Sequence, residues 1–188
     1  MYVVGTVGNR VLTARASREV KLDLVREAVL ILAVVAVGMF AGVFGLYSNA
    51  IIPGLRRTDD RTFVGAFQAI DTAVINPLFL STLFGGLVFT GLAVALHFGE
   101  EYRAALPWLV AAFVLYLIVI IVTVTVNVPL NDAIKAAGDP DRVTDLAAVR
   151  EQFSETKWLR WNHLRTVFTV GAFGCLTWAA VLVGRSVS

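Results

Sequence analysis

Four apolar runs with almost no charge constrain this chain more than any other feature. Residues 28–48, 78–98 and 104–126 contain no Asp, Glu, Lys or Arg, and a fourth run, 163–183, is free of them from residue 167 on. At about 1.5 Å rise per residue, some ~20 helical residues cross a hydrocarbon layer of roughly 30 Å. Backbone groups in lipid must find their hydrogen bonds within the protein, which helices do within one segment. The predicted fold class is therefore an all-α integral membrane protein: a four-transmembrane-helix bundle with amphipathic helices in two long same-side loops. Residues 1–188 are expected to form a single membrane domain, with 1–27 as a lead-in. The composition agrees, at 57% hydrophobic and 16% charged, where globular domains average about 45–50% and about 25%.

The intervals between the runs carry their own signals. Residues 1–27 mix five basic with three acidic side chains and read as a short amphipathic or frayed lead-in, without a secretory cleavage pattern. In 49–77, IIPGL is interrupted by Pro53 and Gly54 and reads as irregular or re-entrant. Phe63, Phe67, Ile70 and Val74 then fall at helical spacing, with Thr58 or Asp59 as a cap. Residues 99–103 leave room only for a tight turn, so the second and third runs form an antiparallel hairpin. His97, at that turn, is expected to be solvated. In TVTVNVPLN, Pro129 lacks an N–H and biases Val128 away from helix, so the third helix is predicted to stop there. A turn at Gly138-Asp139-Pro140 leads into an amphipathic helix over 141–157. Trp161, Leu164 and Phe168 keep helical spacing and place the start of the fourth helix near Trp161. Gly38 and Gly42 make a small-xxx-small step, suited to close packing within one subunit or to a homo-oligomer.

An even number of crossings places both termini on one side and both long loops on the other. Asn49, Asn76, Asn127, Asn131 and Asn162 then all fall at the loop-side end. Gln68, Asp71, Trp158, Trp161, His163 and Arg165 belong to the same layer. Polar side chains gathered in an apolar frame mark a ligand pocket. Taken one at a time, the same residues have plainer uses. Asparagines cap helices, tryptophans form interfacial belts, and Arg165 can pair with a loop carboxylate such as Asp71 or Glu155.

Several function classes are set aside. A net charge of +2 gives no basis for a nucleic-acid partner. One cysteine and two histidines supply no multi-histidine metal site, so neither metal nor cofactor is expected. No charged residue lies mid-span, against ion transport. The partners expected are the lipid bilayer and a hydrophobic polycyclic or quinone-like small molecule. Five basic residues precede the first span and three follow it, which favours both termini inside a cell membrane.

The pieces FVGAFQAI, INPLF, NVPLN and WLRWNHLRT, in that order, resemble the anthrone oxygenase-like family of small four-helix membrane proteins, many of them known only as a domain of unknown function. The resemblance runs from about residue 43 to 183. It carries Gln68, Asn76, Asn127, Pro129, Asn131, Trp158, Trp161, Asn162 and Arg165, while His163 and Asp71 rest on position alone. The family name implies a monooxygenase that converts an anthrone, a tricyclic phenolic ketone, into an anthraquinone with O2. Such a reaction needs no cofactor if the protein removes a proton and stabilises the resulting enolate. Asn127, Asn131, Asn162 and Arg165 would then be oxyanion donors, Trp158 and Trp161 would stack on the flat ligand, and His163 or Asp71 would be the base. Gln68, Asn76 and Asn49 complete the expected ligand-binding set. The residues leave a second function open: a non-catalytic membrane protein that binds a lipid-like or quinone-like ligand or assists a partner protein.

Overall fold

A computed structural model describes residues 4–187, with side chains over 15–186. The chain is all-helical. Four helices are long and apolar enough to cross a membrane. They are built on α1 (Val4–Leu46), α4 (Pro77–Leu96), α5 (Leu106–Val122) and α8 (Glu155–Val187). Between them lie α2 (Ile52–Leu55), α3 (Asp60–Val74), α6 (Val128–Ala136) and α7 (Leu146–Phe153).

The bundle is held by four inward stripes, each with alternating steps of three and four. They are Leu30, Ala33, Val37, Phe40 and Phe44 on α1; Leu83, Gly86, Thr90 and Ala93 on α4; Leu109, Ala112, Tyr116 and Val119 on α5; and Thr169, Ala172, Leu176, Ala179 and Val183 on α8. All of these are buried. This is the spacing of coiled-coil seams and of most four-helix bundles. α8 begins at Glu155 rather than near Trp161, and Trp161, Leu164 and Phe168 are only half-buried, beside its inward stripe. Continued toward the N-terminus, the buried stripe passes through Arg165, Asn162 and Trp158 instead. Gly38 is used inside the chain, since a Cβ there would sit 2.8 Å from the Phe173 ring; nothing lies within 4 Å of a Cβ at Gly42.

Two expectations are corrected at the prolines. The third helix does not stop at Pro129, nor is IIPGL irregular. In each case the helix passes through one wide turn, over Tyr47–Ile51 and over Thr123–Asn127, with Ile52 N–H reaching Tyr47 O and Val128 N–H reaching Thr123 O. Proline follows as the second residue beyond each turn. A proline ring clashes with the carbonyl four residues back. An i→i+5 turn draws that carbonyl aside and absorbs the missing donor. Likewise, the described part of the lead-in is helical and continuous with α1. On the fourth crossing, α7 and α8 are separated only by Ser154, which adopts the left-handed conformation at φ 53°.

Beyond the wide turns, α2, α3, α6 and α7 form a cap over one end of the bundle. Its core is Ile52, Phe63, Val64, Phe67, Ile134, Phe153 and Trp158. Asp59 caps α3 through Thr62 N–H, which holds its carboxyl below the usual range. Gln68 donates to Ile134 O at 2.8 Å and to Gly138 O at 3.0 Å, satisfying carbonyls at the end of α6. Arg150 fastens α7 down: it donates to Thr58 O and Asp60, pairs with Glu155, and lies over the Phe63 ring.

At the opposite end, His97 is buried rather than solvated. Its Nδ1 lies 2.8 Å from Ala93 O and its ring meets the edge of Tyr102. Arg26 closes the corner by donating to Leu96 O at 2.9 Å. Burial holds the His97 imidazole below its usual 6.5, with the Arg26 charge acting in the same direction and Glu101 against it.

Two predictions follow from the packing. The unfolded chain takes up a proton at His97 before the folded one does, so stability present above about pH 6.5 is lost as pH falls through that value. Thermal midpoints of the detergent-solubilised protein should therefore decline from pH 7.5 to 5.5, and His97→Gln should flatten that slope. Separately, a Cβ at Gly86 would meet the Tyr116 ring and hydroxyl at 2.9 Å. Gly86→Ala should cost about 1–3 kcal/mol by overpacking, read as a lower thermal midpoint.

Candidate functional site

The inward stripes change character where the bundle meets the cap. On α8, Trp158, Asn162 and Arg165 replace aliphatic residues; on the wide turn after α1, Ser48; on the wide turn after α5, Thr123 and Asn127. A cavity of about 190 Å³ opens beside them. Most of its wall is apolar, including Val43, Phe44, Phe67, Phe79, Leu83 and Ile120. Its polar lining is Tyr47, Asp71, Thr123, Asn127, Asn131, Asp132, Lys135, Trp158 and Arg165.

Arg165 is buried, and none of the described carboxylates pairs with it. Its Nη2 donates to Asn162 Oδ1 at 2.7 Å and its Nη1 to Thr123 Oγ1 at 3.2 Å. The guanidinium carbon lies 4.4 Å from the centre of the Phe44 ring and 5.4 Å from that of Trp158, a cation–π arrangement that partly replaces water. Asn162 is the anchor. Its amide nitrogen donates to Phe44 O at 2.9 Å and Ser48 Oγ at 2.8 Å. Ser48 in turn lies 3.1 Å from Thr166 Oγ1, which itself donates to Asn162 O.

A second chain of contacts crosses the cap side of the cavity. Trp158 Nε1 donates to Asn131 Oδ1 at 2.7 Å, and Asn131 Nδ2 donates to Asp71 Oδ1 at 2.6 Å. Lys135 Nζ lies 2.9 Å from Asp71 Oδ2, a charge contact rather than an aligned hydrogen bond. Asn127 Nδ2 donates to Trp158 O at 3.3 Å.

Among the described residues that line the cavity, Arg165 Nε, a donor, and Asn127 Oδ1, an acceptor, are buried with no partner, and Asp71 Oδ2 has only its charge contact with Lys135. The other end of each side chain is already bonded, which fixes its orientation. Unpaired buried groups are rare in folded proteins and each calls for a reason. A ligand carrying both an acceptor and a donor would satisfy the two together.

The residues singled out from sequence divide accordingly. Asp71, Asn127, Asn131, Trp158 and Arg165 line the cavity, and Asn162 lies behind Arg165. The others have different placements. His163 and Asn49 are exposed and do not line the cavity. Trp161 is half-buried on another face of α8. Asn76 caps α4 through Phe79 N–H at 3.0 Å, and Gln68 ties α3 to the end of α6. Spacing on α8 explains the division, because residues 158, 162 and 165 share a face while 161 and 163 point elsewhere. Residues not singled out are Tyr47, Thr123, Lys135, Ser48 and Phe44. Tyr47 lines the cavity, packs on Trp158, and feels the charges of both Asp71 and Arg165. Its signal was the inward stripe of α1 continued past Phe44.

Fold and site together define a small multi-pass membrane protein: a four-helix bundle with a capped cavity whose apolar walls hold a buried guanidinium. Residues 76–175 match the anthrone oxygenase family. That is more than half of the chain, and the chain belongs to this family. The matched stretch contains Asn127, Asn131, Trp158, Asn162 and Arg165, and leaves out Tyr47, Gln68 and Asp71. No curated protein and no solved structure matches the chain.

The anchoring role of Asn162 has a measurable size. Asn162→Ala strips partners from the Arg165 guanidinium and Phe44 O, and should cost about 3 kcal/mol because a charged donor is among them. Asn76→Ala removes only a helix cap and should cost about 1 kcal/mol. Thermal unfolding of both variants in detergent checks the ranking.

Proposed function

We propose that this protein uses O2 to oxidise an anthrone-like or quinol-like polycyclic phenol in the cavity, with the substrate itself supplying the electrons. The observation that carries this reading is the unpartnered pair on the wall, Arg165 Nε and Asn127 Oδ1. A ring-hydroxylated anthrone held with its carbonyl toward Arg165 and a phenolic O–H toward Asn127 would satisfy both. The apolar walls, with Phe44, Phe67 and Trp158 among them, suit a flat aromatic body.

The chemistry follows from the acidity of the ring methylene. Asp71, the buried one of the two carboxylates that line the cavity, takes a proton from that carbon, and the electron pair spreads onto the carbonyl oxygen. Arg165, held by Asn162 and Thr123 before the substrate arrives, stabilises the growing negative charge without having to reorganise. The electron-rich carbon transfers an electron to O2, and the resulting radical pair closes a C–O bond. The proton held by Asp71 returns to the peroxide. The hydroperoxide then loses its remaining ring C–H proton as the O–O bond breaks. One oxygen atom stays as the new ketone and the other leaves as water. Tyr47, which lines the same cavity, would relay protons.

A second reading, a non-catalytic protein binding a quinone-like or lipid-like molecule, has one observation in its favour. Both oxygens of Asp71 are already engaged, by Asn131 and by Lys135, as in a purely structural anchor.

Turnover separates the two. In phosphatidylcholine vesicles, O2 uptake and anthraquinone formation from anthrone are followed above the uncatalysed rate. Arg165→Ala should lower kcat by about 10²–10³ and Asp71→Asn by about 10²–10⁴, with Arg165→Lys recovering part of the loss. Wild-type rates in both Arg165→Ala and Asp71→Asn would remove the oxygenase assignment.

A further inference from the structure

We infer that the cavity is entered sideways from the bilayer, through a gap between the start of α4 and the end of α5, by a flat apolar molecule dissolved among the acyl chains. The inference rests on the reading of the cavity as a ligand site and not on catalysis.

The cavity wall is of two kinds. Phe44, Phe67, Leu83, Asn127, Trp158 and Arg165 are buried. Leu80 on α4 is 38% exposed and Phe84 47%; across from them Val124 is 54% exposed and Val128 39%. These four line the cavity and also its outer edge. All are apolar, and they belong to crossing helices or their direct continuation, so the surface they face is the membrane rather than water. Further from the cap, α4 and α5 are in close contact. Gly91 admits the Phe113 ring and Gly86 the Tyr116 ring. Tyr116 donates to Leu83 O at 3.1 Å. The gap lies on the cap side of that contact, at Leu80, with Phe84 at its edge.

The route from water is built differently. Trp158, Asn131, Asp71 and Lys135 run across the cap side as an unbroken series of contacts, two hydrogen bonds and one ion pair. Passage there requires separating them. Passage between Leu80, Phe84, Val124 and Val128 requires only rotamer changes of apolar side chains, which have no hydrogen bond to lose. A polycyclic phenol partitions into the hydrocarbon region, so it would reach this opening without an aqueous step. Oxygen end first, it would meet Arg165 Nε and Asn127 Oδ1 behind the opening. The ligand class this selects is a flat, uncharged, lipid-soluble ring system with oxygen functions at one end.

The test plugs each route after the protein has folded. Trp108→Phe, Trp161→Phe and Trp178→Phe leave Trp158 as the sole tryptophan, and Cys175→Ser removes the native thiol. Val124→Cys, or Asp132→Cys at the aqueous rim, is then alkylated on the purified protein with a bulky maleimide. In phosphatidylcholine vesicles the probe is anthrone, and the readout is the rate at which it quenches Trp158 fluorescence. Without a plug the rate should rise with the mole fraction of anthrone in the bilayer. It should fall several-fold with the plug at residue 124 and hold steady with the plug at 132. The reverse order, equal slowing, no slowing by either plug, or no quenching of the unplugged protein would each overturn the inference. Anthrone turnover in the same samples tells the two proposals apart. Quenching in the expected pattern without turnover leaves the portal standing and removes the oxygenase. Turnover undiminished by the plug at 124 does the opposite.

Discussion

A guanidinium taken out of water must find replacements for its hydration inside the protein, and Arg165 finds them in neutral acceptors and ring faces among four apolar helices. Stripping water from such an ion costs several kcal/mol or more unless the surroundings replace it. Here the replacement comes from three helices at once. Thr123 on the wide turn after α5, Asn162 one turn back on α8, and the face of Phe44 on α1 each take one side of the group. Asn162 in turn holds α1 through Phe44 O and Ser48. The polar cluster therefore ties three of the crossing helices together at the level where their aliphatic stripes end. It does so with neutral acceptors and ring faces, and the Nε N–H is left without a partner.

The wide turns make this geometry attainable. A heptad stripe stays on one face only while steps of three and four alternate. From α1 the buried positions run Phe40, Phe44, Ser48, Ile52, and from α5 they run Val119, Thr123, Asn127, so steps of four follow one another. On a regular helix that would swing the later residues around the axis. The additional residue in each i→i+5 turn swings them back. Ile52 and Asn127 are thereby kept on the inward side, and the chain continues beyond the bundle as α2 and α6 to build the cap. Wide turns of this kind are frequent at functional sites. Here the prolines that follow each one give a local reason for its position.

Much of the fold was legible because lipid leaves few options. Run length gave the crossings and their number gave the sidedness of the loops. The α3 cap at Asp59 and the hairpin at 99–103 were written in local residue types. What was misread is equally specific. Pro53 and Pro129 carry the usual sign of a helix end, and only the wide turn before each lets the helix continue; nothing local distinguishes the two outcomes. His97 sits at a span end with acidic neighbours, yet Tyr102 and Arg26 come from elsewhere to bury it. At the site, residue type alone overselected. Asn49, Asn76, Gln68, Trp161 and His163 are at the same end as the cavity but cap, fasten or face outward. Choosing the α8 register by its small and aliphatic residues, Ala172, Leu176 and Ala179, would have pointed to Trp158, Asn162 and Arg165 and away from Trp161 and His163. Tyr47 needed the α1 stripe continued past Phe44, and Lys135 needed the tertiary arrangement.

The separation of charge within the cavity explains why it is open at all. Asp71 and Arg165 both line it, and an ion pair between them would draw α3 against α8 and fill the space with their own side chains. That does not happen, because Asp71 is held from the other side. Asn131 fixes one of its oxygens and Lys135 faces the other, while Trp158 fixes Asn131 and packs against Tyr47. The carboxylate is anchored to the cap and the guanidinium to the bundle, with the apolar volume between them. An oxyanion forming in that volume would meet a preset positive group on one side and a proton acceptor on the other. Because α3 and α6, which carry Asp71, Asn131 and Lys135, belong to the cap, and Arg165 belongs to the crossing helices, any movement of cap against bundle changes the distance between the Asp71 carboxylate and the Arg165 guanidinium directly. Under the proposed oxidation, where alignment of the reacting groups matters, the residues that set that distance, Asn131, Lys135 and Trp158, would count as positioning residues beside the two charges they keep apart.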